Sequence, residues 1–449
     1  MEGRKKRWAV LLVVAAAFAA VVAGTAGARV DAKSAGTLDI YGYGPGDDVQ
    51  ENRATYAANQ LNGVTIKREP ASFDDQAFLT RLASGDVPDL VRMPRPSLAL
   101  YAAKGVLQPV DQCVKGVASQ YRKGAMRAMT YGGHIYGLPE FTNQVTLIVN
   151  TQAFKEAGVP LKDAQMKNLG LLLKTAKKLT KFDSKGNLVR IGFDPKIDSG
   201  FGFPLWVKYF GGNIISKDGL HAQINTKAAV KALNFTTAVI NAEGGWNKFV
   251  AYRNTFDFFG KGNPLAKDQL GFWPMESFIY NVFANNTPNQ PIAARYFTNQ
   301  KGGPISFFSG NGWAIPKNSG NPQAACDYMK AVTSVGAWEF AGAKRMAARR
   351  AANPPQAFTG LYTANAVADK KLYEDVYHST GGSADYDNAV KYLVNASKYG
   401  FELPPTPAGA QFATAYNNAV QRVLTGQQSI KAALAQAQKE AQAAINANK

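Results

Sequence analysis

Leu38-Asp39-Ile40-Tyr41-Gly42-Tyr43-Gly44-Pro45-Gly46 sets the reading of the chain: a short apolar strand runs directly into a Gly- and Pro-rich loop, and a helix follows to about Leu61. The same unit recurs downstream. Val64-Thr65-Ile66-Lys67 reads as a strand. Ser72 and Asp75 form a capping-box pattern before a helix that places Phe73, Ala77, Phe78 and Leu82 on one face and stops at Gly85. Pro88-Asp89-Leu90-Val91-Arg92 supplies the next strand, and Leu98, Tyr101 and Ala102 mark a further helix ended by Gly105. Alternation of this kind predicts an α/β fold, with a mostly parallel sheet covered by helices on both faces. Ligands of such sheets sit beyond the carboxyl ends of the strands, which directs attention to 41–48 and 92–96.

A second alternating region opens near Val145. Leu147-Ile148-Val149-Asn150 is a strand, Thr151 starts a helix, and Asn168 to Leu179 is a longer one. Turns at Gly211-Gly212 and Asp218-Gly219 precede a periodic helix from Thr226 to Ala242. The chain ends in two helices: Phe412, Tyr416, Val420 and Val423 stripe the first, Gly426 breaks it, and Ser429 caps the second. That second stripe is mostly Ala, which suits packing onto a lobe rather than a membrane surface. No period of 20 to 50 residues repeats, which excludes a solenoid.

The 449 residues leave room for two or three domain-sized cores, and an apolar fraction of 46% is that of an ordinary globular protein. Residues 1–28 read as a cleaved secretory signal: basic Arg4-Lys5-Lys6-Arg7, an apolar run from Trp8 to Val22, and Ala26-Gly27-Ala28 before the cut. Removing those four basic residues and Glu2 lowers the formal charge from +19 to +16. Apart from Lys344-Arg345 and Arg349-Arg350 the basic residues are scattered, without the interleaved aromatics of a single-strand groove, so a solvated basic surface is expected and no nucleic-acid partner. Only Cys113 and Cys326 occur, and Cys326 lies at an apolar-facing position, so a buried inert thiol is expected rather than a disulfide.

The sequence carries no catalytic or metal-binding signature. His134, His221 and His378 stand apart, and there is no H-E-x-x-H, no nucleophile elbow and no phosphate loop, so neither cofactor nor metal is expected. Asp47-Asp48 and Asp74-Asp75 are adjacent pairs whose members face different ways, unlike two carboxylates flanking a glycosidic bond. Loops rich in aromatics and amides remain, the chemistry that grips the apolar faces and hydroxyls of a carbohydrate.

Four segments in order carry a resemblance: Pro88-Asp89-Leu90-Val91 with Tyr101-Ala102-Ala103-Lys104-Gly105-Val106-Leu107; Tyr136-Gly137-Leu138-Pro139; Leu147-Ile148-Val149-Asn150; and Gly310-Asn311-Gly312-Trp313-Ala314-Ile315-Pro316-Lys317. The chain resembles the extracellular solute-binding proteins of ABC importers, in particular the sugar-binding family that includes maltose-binding protein. The resemblance implies two lobes of periplasmic-binding-protein (type II-like) fold, divided as 29–142 (first lobe), 143–306 (second lobe), 307–378 (return to the first) and 379–449 (closing helices on the second). The crossing segments fall near Thr142 to Val145, Pro304 to Gly310, and between Ala366 and Asp385. It also implies a monomeric carrier that captures a mono- or oligosaccharide by hinge closure and delivers it to the permease subunits. Many relatives are anchored through a Cys after the apolar run. This chain has none before Cys113, so a soluble exported form in the periplasm or cell envelope is expected.

Carried onto matching positions, the ligand residues would be Tyr41, Tyr43 and Asp47 in the first loop and Arg92 and Arg95 after the Pro-Asp strand. The first crossing would give Glu140, Thr142, Asn143 and Gln144, Asn143 standing where the family has an acidic contact. The second lobe would give Asp198, Phe201, Trp206, Trp273, Glu276 and Phe278, Phe278 occupying the place of a stacking Trp. The return crossing would give Ser309, Gly310, Asn311 and Trp313. Phe201, Trp206 and Trp313 fit a core role equally well, and Arg92 and Arg95 fit ion pairs between lobes. Two alternatives stay open: another polar solute, such as a polyol, a sugar acid or a phosphorylated glycerol, and a secreted carbohydrate-active enzyme.

Overall fold

A computed structural model describes residues 36–449; the signal segment read at 1–28 lies outside them. Two sheets organise the chain. The first has five strands in the order Thr65–Arg68, Thr37–Tyr41, Leu90–Pro94, Asn311–Ala314, Gly137–Pro139. Its first three strands are parallel, while Asn311–Ala314 runs antiparallel to both of its neighbours. The Pro88-Asp89 pair has a structural job here. The Asp89 carboxylate accepts the Asp39 amide at 2.8 Å and the Asn321 amide at 3.0 Å, tying the first strand to the start of the Pro322–Val332 helix.

The second sheet is built around Asn143–Asn150, which pairs antiparallel with Leu270–Glu276, Ile292–Arg295 and Ser306–Ser309. Leu188–Phe193 adds in parallel beside Leu270–Glu276, and Gly400–Phe401 in parallel beside Ser306–Ser309. The two-lobed α/β architecture thus stands, but strand directions are more mixed than alternation predicts. The central strands enter from the other lobe and run against their neighbours, a direction no local propensity encodes.

The passage between lobes is short. Asn143 pairs with Ser309 in the second sheet while Asn311 pairs with Pro94 in the first, so only Gly310 lies between the two registers. The return to the first lobe therefore begins at Asn311, because Ser306–Ser309 still belongs to the second sheet. Glycine is required there: with φ at 157°, a Cβ would run into the Phe141 carbonyl and the Arg95 guanidinium.

Helix ends follow capping chemistry. Ser429 caps as read, and Asn168 and Thr226, read only as helix starts, also cap, each side chain accepting a backbone N–H from the first turn. The helix Asp75–Ala83 is capped by Asp74 and not by Ser72, since the Asp74 carboxylate takes the Ala77 amide at 2.7 Å. The closing helices Ala410–Leu424 and Ile430–Ala447 bury Phe412, Tyr416, Leu434 and Ile445 in the second lobe's core. Cys113 and Cys326 correct the thiol expectation: they form a disulfide joining the short Asp111–Val114 helix to Pro322–Val332, two segments far apart in sequence that only the chain's return makes neighbours.

Candidate ligand-binding site

The loop after the first strand turns on Gly42, whose φ of 79° and contact with the Arg92 carbonyl exclude a side chain. The loop delivers Asp47 as the N-cap of Asp48–Asn59, accepting the Gln50 amide at 2.9 Å. From that helix Arg53 reaches Glu140, at the end of the first lobe's edge strand, and Arg92 reaches the same carboxylate from the other side. Glu140 is wholly buried. Burial alone would raise its pKa, but Arg92 and Arg53 outweigh it and hold the carboxyl below the ordinary glutamate range. Asp47 behaves alike: burial opposes ionisation, yet Arg345 at 2.8 Å keeps its pKa lowered.

Around these groups lie two depressions that share Phe141 and Asn143. The first, about 350 Å³, is lined by Asp47, Gln50, Arg53, Arg92 and Glu140 on one side and by Ser277, Phe278 and Asn281 on the other. Trp338, Arg345 and the segment 359–362 close its back. The second, about 550 Å³, is lined by Arg95, Lys196, Phe201, Glu276, Ser309, Gly310 and Asn311, with Glu402, Phe412 and Tyr416 opposite. Both volumes lie in the range of small-ligand sites. Asn311 and Arg92 bridge the two: with its amide oxygen turned toward the guanidinium, Asn311 accepts at 3.0 and 3.1 Å.

Of the residues expected at the ligand, Asp47, Arg92, Glu140, Asn143 and Phe278 line the first depression, and Arg95, Asn143, Phe201, Glu276, Ser309, Gly310 and Asn311 the second. The others line neither. Tyr41 packs against Phe73 and Phe78 with its hydroxyl on the Asp74 carbonyl. Tyr43 is buried edge-on to Trp313, its hydroxyl on the Gln50 carbonyl and its pKa pushed up to about 12 by burial. Trp206, Trp273 and Trp313 are fully buried: Trp206 donates to the Pro195 carbonyl at 2.8 Å, and Trp273 stacks on Phe258. Thr142 and Gln144 are also buried, their side chains donating to the Thr363 and Leu393 carbonyls. Asp198 holds Arg253 at 2.9 Å.

The sequence reading missed Arg53, Lys196, Trp338, Arg345, the 359–362 turn, Glu402 and Tyr416. One carried a signal: Lys344-Arg345 stood out as a basic cluster. Tyr416 lay on the apolar stripe, where nothing local separates it from the core residues beside it.

Electrostatically the site is self-compensated. Arg95 forks onto Glu402 at 2.9 and 3.0 Å, joining the first lobe to the second, and Lys196 lies 4.0 Å from Asp194. Among the described residues Glu276 has no salt-bridge partner: burial raises its pKa, and Ser309 donates to it. Among the described residues no cluster of three His, Cys, Asp or Glu could hold a metal, and no helix is long and apolar enough to cross a membrane.

Known proteins agree with this architecture. CpMnBP1 with mannobiose bound superposes with a TM-score of 0.71 at 23% identity, over 90% of this chain and 99% of that one. The ABC substrate-binding protein Lmo0181 from Listeria monocytogenes, in complex with cycloalternan, gives 0.69 at 19% identity, over 91% and 99%. The maltose/maltodextrin-binding domain MalE from Bdellovibrio bacteriovorus, bound to maltotriose, gives 0.69 at 17% identity, over 91% and 100%. No curated protein matches the sequence. Residues 54–338 match the family profile of the bacterial extracellular solute-binding proteins, and with the two lobes and the short crossings this places the chain in that family.

Proposed function

We propose that this protein is the substrate-binding component of an ABC importer, that it takes a neutral mono- or oligosaccharide at the strand crossings, and that it hands the sugar unaltered to the membrane permease. One observation carries the choice of ligand. Every cation lining either depression already has a carboxylate: Arg53 and Arg92 share Glu140, Arg345 holds Asp47 and Asp48, Arg95 holds Glu402, and Lys196 faces Asp194. An anionic solute would meet cations whose charge is already compensated, whereas a sugar needs only rings and hydroxyl partners, which Phe141, Asn143, Phe201, Phe278 and Tyr416 offer. The saccharides bound by the structural neighbours agree with this reading.

The same pairing speaks against catalysis. Of the carboxylates lining the depressions, Asp47, Glu140 and Glu402 are held by arginines, leaving Glu276 without the second carboxyl that glycoside hydrolysis needs. Export through the signal, life as a monomer and docking to permease subunits belong to the same proposal.

The test is a melting screen of the mature protein against neutral sugars, sugar acids and glycerol phosphate. A ligand at 100 times its dissociation constant should add about 2.7 kcal/mol of stability. For the sugar that binds, Asn143→Ala should lose about 1–3 kcal/mol of affinity with little change in melting temperature. Trp206→Ala should lose about 3–5 kcal/mol of folding stability instead. Stabilisation by the anionic solutes alone would replace the sugar reading. Hydrolysis products from the bound glycoside, abolished in Glu276→Gln, would replace the carrier reading.

A further inference from the structure

Phe258 and Phe259 are adjacent and face opposite ways. Phe258 stacks on buried Trp273, whereas Phe259 is 65% exposed, the most exposed large apolar side chain among the described residues. A lone exposed ring needs no explanation. This one, however, lies 6.4 Å from Phe278 with only 16° between the planes, and Phe278 lines the first depression. The two rings are therefore near-parallel neighbours, Phe278 on the depression and Phe259 exposed beside it. The loop that carries Phe259 is fixed rather than loose: Asn286 donates to the Phe259 carbonyl at 2.8 Å, and the Asp257 carboxylate accepts from the Gly262 amide at 3.3 Å.

A second observation lies on the same helix, Phe278–Asn286, whose face carries Phe278, Asn281 and Asn285 at helical spacing. Asn281 and Asn285 accept from Arg349 through their oxygens at 3.0 and 3.1 Å, and their amide nitrogens have no partner among the described residues. Rings beside free amide donors are the chemistry that would hold a further pyranose, its apolar face on the rings and its hydroxyls on the amides.

We infer that Phe259, with Phe278, forms an outer stacking position for a saccharide unit beyond the enclosed depression, so that the preferred ligand is an oligosaccharide long enough to reach it and not a monosaccharide. The inference rests on the sugar reading above. Its test is titration calorimetry of the full mature protein with malto- and manno-oligosaccharides of one to four units, on the wild type, Phe259→Ala and Phe259→Trp. Wild-type affinity should rise with length. Phe259→Ala should lose about tenfold on the longest bound oligomer and nothing on the shortest, Phe259→Trp should restore the gain, and all three proteins should melt together. Equal losses at every length, or no loss at any, would overturn the outer position while leaving the sugar reading intact. A wild type that binds none of the series but is stabilised by a sugar acid or glycerol phosphate would overturn both.

Discussion

Glu140 shows how a position in the sequence can mark a side chain without revealing its partners. Its position directly after Gly137-Leu138-Pro139 marked it as a ligand contact, and it does line the cleft, but both of its oxygens are engaged by Arg53 and Arg92. Removing one partner of a buried ion pair leaves uncompensated charge, so Glu140→Gln should cost about 3–5 kcal/mol of stability at neutral pH. The pH dependence has a definite sign. The folded carboxyl is held below its unfolded value, so its contribution is complete above the unfolded pKa, near about 4.3, and is lost as pH falls through the folded one. Denaturant titrations of both proteins should therefore differ most at pH 7 and converge in acid; a constant difference would show that the cost is packing and not charge. The aromatic residues teach the complementary lesson. Trp206, Trp273 and Trp313 were candidates because sequence position alone cannot separate a ring that faces a cleft from one that faces a core. The distinction depends on neighbours such as Phe258 and Tyr43, which contact them only in the folded chain.

Among elements, what the sequence made legible was local: the strand at Thr37–Tyr41, the helices capped by Asn168, Thr226 and Ser429, and the closing pair from Ala410 to Ala447. Periodicity and capping are properties of neighbouring residues, and they survive folding. What was not legible joins distant residues: the antiparallel entry of Asn311–Ala314, the register change across Gly310, and the pairing of Cys113 with Cys326 across 213 positions. That disulfide joins the first pass through the lobe to the return pass. Closing so long a loop in the unfolded chain corresponds to about 5 kcal/mol in the chain-entropy account, at the upper end of what disulfides deliver. Cys113→Ser with Cys326→Ser should accordingly melt well below the wild type, and a reductant should lower the wild type to the same point. The disulfide lies away from both depressions, so sugar affinity measured below the melting range should stay unchanged. A change in affinity without loss of stability would refute this placement of its role.

At the scale of the molecule, side-chain contacts join the lobes besides the crossings, those of Arg95 and Arg349 among them. Arg95 forks onto Glu402; Arg349, from the first lobe's Val335–Ala351 helix, reaches Asn281 and Asn285 on the second lobe's Phe278–Asn286 helix. The two are not equivalent. Arg95 and Glu402 are both buried, so breaking that pair strands a charge and penalises folding itself. Arg349 bonds only to neutral amides, among them Gln356, and burial followed by the nearby Arg345 lowers its pKa, so its loss leaves no buried carboxylate behind. It is thus the better probe of closure, which requires two arrangements of the lobes whose balance the ligand shifts. Opening of the lobes would break the two interlobe hydrogen bonds of Arg349, so losing Arg349 disfavours closure. Arg349→Ala should then scatter X-rays as a larger particle when free but match the wild type when saturated with sugar. Its apparent affinity should fall about five- to tenfold, because a smaller fraction of the free protein is competent to bind. Identical radii of gyration for both proteins, free and bound, would mean that the lobes do not move about these crossings.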